Sequence, residues 1–122
     1  MTISEAQFDH YSRGLRQRDA QRKKRLSKRQ ERARQVANSA ANVLKTDFGA
    51  EKIILYGSLA HGAWFREHSD IDLAVAGLPA KLFWRAWVTI DRLSSDIEIN
   101  IIDLVDAKPS LVREIELTGI EL

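Results

Sequence analysis

One stretch, Ile53 to Val75, limits what this 122-residue chain can fold into. It reads Ile53-Ile54-Leu55-Tyr56-Gly57-Ser58-Leu59-Ala60-His61-Gly62, then a polar run, then Ser69-Asp70-Ile71-Asp72-Leu73-Ala74-Val75. Ile53 to Tyr56 is a short apolar run of the length a buried strand uses. Gly57 stops it; with no Cβ, the backbone there can turn its N–H groups toward a ligand that a side chain would block. Ser58 adds a hydroxyl suited to capping a helical turn. Asp70 and Asp72 stand two apart in an alternating pattern. Alternation puts both carboxylates on one strand face and Ile71, Leu73 and Val75 on the other. Two carboxylates side by side repel each other unless a cation lies between them, and a divalent metal supplies one.

The segment before this stretch is of another kind. Arg13 to Arg34 holds eleven Lys/Arg against Asp19 and Glu31, a balance of +9, while the remainder sums to −7. Two such parts are electrostatically distinct objects. Thr2 with Glu5, or Ser4 with Gln7, fits a capping box. Phe8, Tyr11 and Leu15 follow at helical spacing, and from Arg16 to Arg32 nearly every residue is charged or Gln, with Leu26 the main apolar exception. That composition favours helix but offers a monomer core no face to bury. From Ala33 the pattern changes: Ala33, Val36, Ala37, Ala40, Val43 and Leu44 repeat at three- and four-residue steps, an amphipathic helix for packing on a sheet, with Gly49 suited to end it. A continuous helix from Ser4 to Phe48 would be about 65 Å long, against about 25–30 Å for a domain of this size. The expected organisation is therefore a basic helical arm, 1–32, projecting from a domain, 33–122.

Past Val75, Gly77 and Pro79 mark a break. Phe83, Ala86, Trp87, Ile90 and Leu93 predict a helix that Ser94 and Ser95 end, its apolar face widened by Trp84 and Val88. Ile97, Ile99 and Ile101 alternate as a third strand. Asp103 to Lys108 is a loop, Pro109 to Gly119 a short helix with Leu111, Val112 and Ile115 inward, and Ile120 to Leu122 a small edge strand. The fold class is α/β (α+β), a small mixed sheet of three to four strands covered by helices. The chain has no cysteine, which excludes a disulfide framework and thiolate metal sites. No apolar run approaches the ~20 residues of a membrane helix and no apolar signal segment opens the chain, so a cytoplasmic protein without membrane attachment is expected.

Gly57-Ser58 followed by Asp70-x-Asp72 resembles the signature of the DNA polymerase β-like nucleotidyltransferases. It is closer still to the minimal nucleotidyltransferases, the antitoxin partners of HEPN toxins. The resemblance runs from roughly Ala33 to Leu122. It implies an enzyme that uses ATP or another NTP with Mg²⁺, two ions when nucleotide is bound, and transfers AMP to a hydroxyl, a tyrosine of a cognate HEPN ribonuclease toxin. In that reading Gly57, Ser58 and His61 bind nucleotide. Asp70 and Asp72 hold metal and carry the catalysis with a third carboxylate on the next strand.

The chain departs from the family there. Matching Asn100-Ile101-Ile102-Asp103 to the usual strand motif puts Asn100 in the third carboxylate's place, and asparagine is a weak metal ligand and no base. Glu98, two residues earlier on the same strand face, is the expected substitute as catalytic residue and metal ligand. Asp103, at an odd offset, is expected to turn away. His61 stands where relatives often carry arginine. Alternatives are an antitoxin weakened by Asn100 that works by binding alone, and a nucleic-acid-binding regulator using the basic arm. Phe8, Tyr11 and Leu15 at the arm's far end argue for a protein contact, with the toxin or in a homo-oligomer.

Overall fold

The computed structural model describes residues 3–122. Its first element, α1 (Glu5–Thr46), is one unbroken helix of 42 residues, about 63 Å long. Ser4 caps it: the Ser4 hydroxyl accepts from the Gln7 N–H at 3.2 Å, and Gln7 Oε1 accepts from the Ser4 N–H at 3.1 Å. The alternative cap at Thr2 lies outside the described residues. The helix ends on Asp47 rather than on Gly49, which takes φ +74° two residues later.

The strands are β1 (Lys52–Tyr56), β2 (Ile71–Ala76), β3 (Ile99–Asp103) and β4 (Ile120–Glu121), in the order β3-β2-β1-β4. β1 is antiparallel to β2 and to β4, while β2 and β3 run parallel. A single turn, α2 (Ser58–His61), follows β1; α3 (Phe83–Asp91) connects β2 to β3; α4 (Pro109–Thr118) connects β3 to β4. Pro109 opens α4 and Gly119 closes it, as expected. No helix among the described residues is long and apolar enough to cross a membrane.

The period-2 alternation of the strands sorts their side chains onto two faces. Ile53, Leu55, Ile71, Leu73, Val75, Ile99 and Ile101 pack with Ala33, Ala37, Ala40 and Leu44 of α1 and Ala86 and Ile90 of α3. The alanine stripe lets α1 lie close to the sheet. The other face is thinner: Ile54 and Ala74 pack against Ile115 of α4, with Tyr56, Ile102 and Leu111 at the margin. Asp72 and Asn100 share this second face. Ile115 of α4 packs on the central Ile54–Ala74 pair; toward the Gly57 end of this face Asp72 and Asn100 are only half-buried.

Three expectations change. Trp84 and Val88 do not widen the packed face of α3; they are 72% and 48% exposed. α3 stops at Asp91, before Ser94, whose hydroxyl instead accepts from the Ile97 N–H at 3.1 Å. β3 starts at Ile99, so Ile97 is buried ahead of the strand rather than within it.

Candidate functional site

Gly57 sits at φ +76°, a conformation that residues with a Cβ rarely adopt. The reason lies opposite. Tyr56 pairs in register with Asp72, and a Cβ placed on Gly57 would meet Asp72 Oδ2 at 2.6 Å. The carboxylate of Asp72 therefore lies against the backbone bend. Gly57 itself caps α2, with no side-chain cap bond. The Ser58 hydroxyl is thus not spent on capping, contrary to expectation.

Asp72 also pairs in register with Asn100 on β3. Asn100 Nδ2 donates to Asp70 Oδ2 at 3.3 Å. Asp70, Asp72 and Asn100 thus converge at the Gly57 end of the second face, half-buried. Burial pushes the Asp72 carboxyl above the ordinary carboxylate range; the Asn100 amide opposes this, and the neighbouring Asp70 charge adds to it. Burial, then the Asp72 charge, likewise raises the Tyr56 phenol. The pair is short of positive charge, which is the condition a cation relieves.

Glu98 is not brought to this pair. Among the described residues no group of three His, Cys, Asp or Glu side chains has metal-holding geometry. Glu98 is exposed and precedes β3, where its carbonyl accepts from the Ile71 N–H at 2.9 Å. Its side chain lines a surface hollow with Trp84, Trp87 and Asp91. The alternation that would turn it toward Asp72 holds only inside the strand. Asp103 ends β3 and accepts from the Val105 N–H at 3.0 Å. His61 ends α2 and lines a hollow of about 270 Å³ with Tyr56, Gly57, Leu111 and Glu114.

Two residues near the site are new. Phe65, inside what reads as a polar run, is 2% exposed. The Arg29 guanidinium lies 5.9 Å from its ring centroid, a cation–π contact. Arg29 also donates to the carbonyls of Ser69 and Asp96, each at 3.4 Å. Its Nε is buried without a hydrogen-bond partner. One side chain thereby fastens α1 to the two loops that lead into Asp70 and β3. No local pattern announces it, since its partners lie 40 and 67 residues away.

The polymerase beta nucleotidyltransferase family model matches residues 38–122. Among solved structures, one of a minimal nucleotidyltransferase superposes with TM-score 0.63 at 26% identity, covering 76% of this chain and 95% of that one. A toxin–antitoxin structure with AMP-PNP superposes at TM-score 0.55 and 25% identity, covering 68% of this chain and 69% of that one. A mutant of the MntA-HpeT toxin–antitoxin gives TM-score 0.57 at 26% identity, covering 70% and 69%. No curated protein matches.

Proposed function

The chain belongs to the polymerase beta nucleotidyltransferase family, and from that premise we propose that it is an antitoxin enzyme. In this reading it transfers AMP from ATP, with Mg²⁺, to a tyrosine hydroxyl of a HEPN ribonuclease toxin. One observation carries the reading: the Asp72 carboxylate abuts the Gly57 bend, with Asp70 alongside. The toxin–antitoxin structure that holds AMP-PNP supports the choice of nucleotide and partner.

The Gly57 backbone and the Ser58 hydroxyl hold the phosphates, with His61 beside them. The donor set fits magnesium: oxygen ligands only, few in number, leaving positions for phosphate oxygens. Asp70 and Asp72 would hold the ion, with Asn100 presenting its amide N–H to the pair. Bound magnesium would supply charge neutralisation at the α-phosphoryl group and the leaving pyrophosphate. The tyrosine oxygen bonds to the α-phosphorus, the bond to pyrophosphate breaks and pyrophosphate leaves, and the phenolic proton passes to water. Glu98, exposed beside Trp84, has the least support as third carboxylate, so proton removal is the weak step of this chain.

Asn100 favours a second reading, an antitoxin that silences its toxin by contact. Incubation with α-labelled ATP, Mg²⁺ and the product of the adjacent reading frame separates the two. Transfer predicts label on a toxin tyrosine, lost in the Asp70→Asn/Asp72→Asn variant while the complex still forms. A silenced but unlabelled toxin would overturn the enzymatic reading.

A further inference from the structure

We propose that the free half of α1 docks on the Trp84 surface of a second copy of this chain, so that two copies exchange arms.

At 3.6 residues per turn, Phe8, Tyr11 and Leu15 lie on the same side of α1 as Leu26, Ala33, Ala37 and Leu44, which pack on the domain. The packing face thus continues past the domain with nothing on it: Phe8, Tyr11 and Leu15 are 61%, 64% and 45% exposed. The 66–68 loop of the same domain reaches α1 only as far as Asp19, and the unbroken helix carries Phe8 about 16 Å beyond that point. Of the neighbouring arginines Arg18 borders the stripe, while Arg16 and Arg13 turn away from it on the unbroken helix. Along the basic segment only Arg22 and Arg32 form ion pairs among the described residues, with Glu67 and Asp96.

The domain carries a surface of matching chemistry. Trp84 stacks on Trp87, with centroids 5.5 Å apart and planes at 11°, and stands as a ridge between two hollows. The larger, about 490 Å³, is lined by Phe83, Ile101 and Leu111, with Asp103 and Asp106 at its edge. The other has Asp91 and Glu98 beside the indoles. No Lys or Arg lines either hollow. None of these four acids is in an ion pair among the described residues. An aromatic stripe bordered by Arg18, on a helix whose Arg13–Arg34 segment carries a net +9, meets in kind an aromatic ridge flanked by carboxylates, which is complementarity of both shape class and charge. Both halves of the contact are on one chain, and the chain cannot satisfy itself. Two copies related by a two-fold axis satisfy both at once. The stripe and the basic segment lie in residues 1–37, outside the family match, while the receiving surface lies within it.

Sedimentation velocity on the full chain tests this. The expected result is a concentration-dependent dimer whose Kd weakens at least about tenfold between roughly 50 and 500 mM salt, as screened ion pairs require. Phe8→Ser/Leu15→Ser removes the stripe, and Trp84→Ser/Asp106→Lys removes the receiving surface; all four positions are exposed, so thermal stability is the check that each variant folds. Each variant alone sediments as a monomer. Mixed in equal amounts they pair more weakly than wild type, through the one contact in which the arm of one meets the intact surface of the other. A wild type that stays monomeric, a dimer that survives in either variant, or a mixture that fails to pair overturns the proposal. So does an arm that binds only added nucleic acid or toxin.

Discussion

The two halves of α1 share a backbone and differ in everything else. From Ala33 to Leu44 the helix buries three alanines at 0% exposure and a leucine against the sheet. From Glu5 to Arg25 no side chain is buried. The first half of the chain's helix is held by its cap, by propensity and by continuity with the packed half; the second is held by the core. The difference teaches that helical pattern and tertiary role separate: the same element is scaffold at one end and unburied at the other.

The same substitution placed in each half should break that equivalence most visibly. Ala37→Leu forces a larger side chain between α1 and the sheet and should cost about 3 kcal/mol by denaturant unfolding. The next effect belongs to the site. Gly57→Ala adds a Cβ where Asp72 Oδ2 stands and a side chain where φ is positive. Nucleotidyl transfer should fall about a hundredfold, the scale of a roughly 1 Å misplacement. If Gly57→Ala retains full activity, the acid and the bend are not one site.

A smaller effect runs in the opposite direction. The Asp72 carboxyl is raised above its unfolded value, chiefly by burial. The folded state therefore binds more protons over the interval between the ordinary aspartate pKa and the raised one. Stability falls as pH rises through that interval, and the penalty persists above it. In chelator, Asp72→Asn should raise Tm at neutral pH by about 2–4 °C, and the gain should vanish in acid below the ordinary aspartate pKa. A variant that is less stable than wild type at neutral pH would show that Asp72 is a structural partner rather than a strained ligand. Smallest of all is Ala20→Leu in the exposed half, expected to stay within about 0.5 kcal/mol of wild type in the same unfolding measurement. A loss comparable to that of Ala37→Leu would mean the arm packs on its own domain.

Local patterns carried much of the fold into the sequence. The short apolar run Ile53–Tyr56 and the alternation in Ile71–Val75 mark two strands, and the alternation places Asp72 on the face away from the core. Pro109 and Gly119 bracket α4. Asn100 opposite Asp72 follows from the strand motif and from the parallel register of β2 and β3. What stayed hidden depends on where patterns stop. Alternation extended to Glu98 fails because β3 begins one residue later. Helical periodicity gathered Trp84 into the core face, yet α3 has nine residues and packs on one side only. The Arg29 clamp over Phe65 joins residues 36 positions apart in the chain, and it leaves no periodic trace.

The pocket formed by the bend and the acids is most directly probed by Mn²⁺ binding, read by electron paramagnetic resonance with a non-hydrolysable ATP analogue. Binding should require the nucleotide, disappear in Asp70→Asn/Asp72→Asn, and tighten in Asn100→Asp, which restores a third carboxylate beside the pair. Mn²⁺ binding that persists unchanged in the double variant would contradict the account.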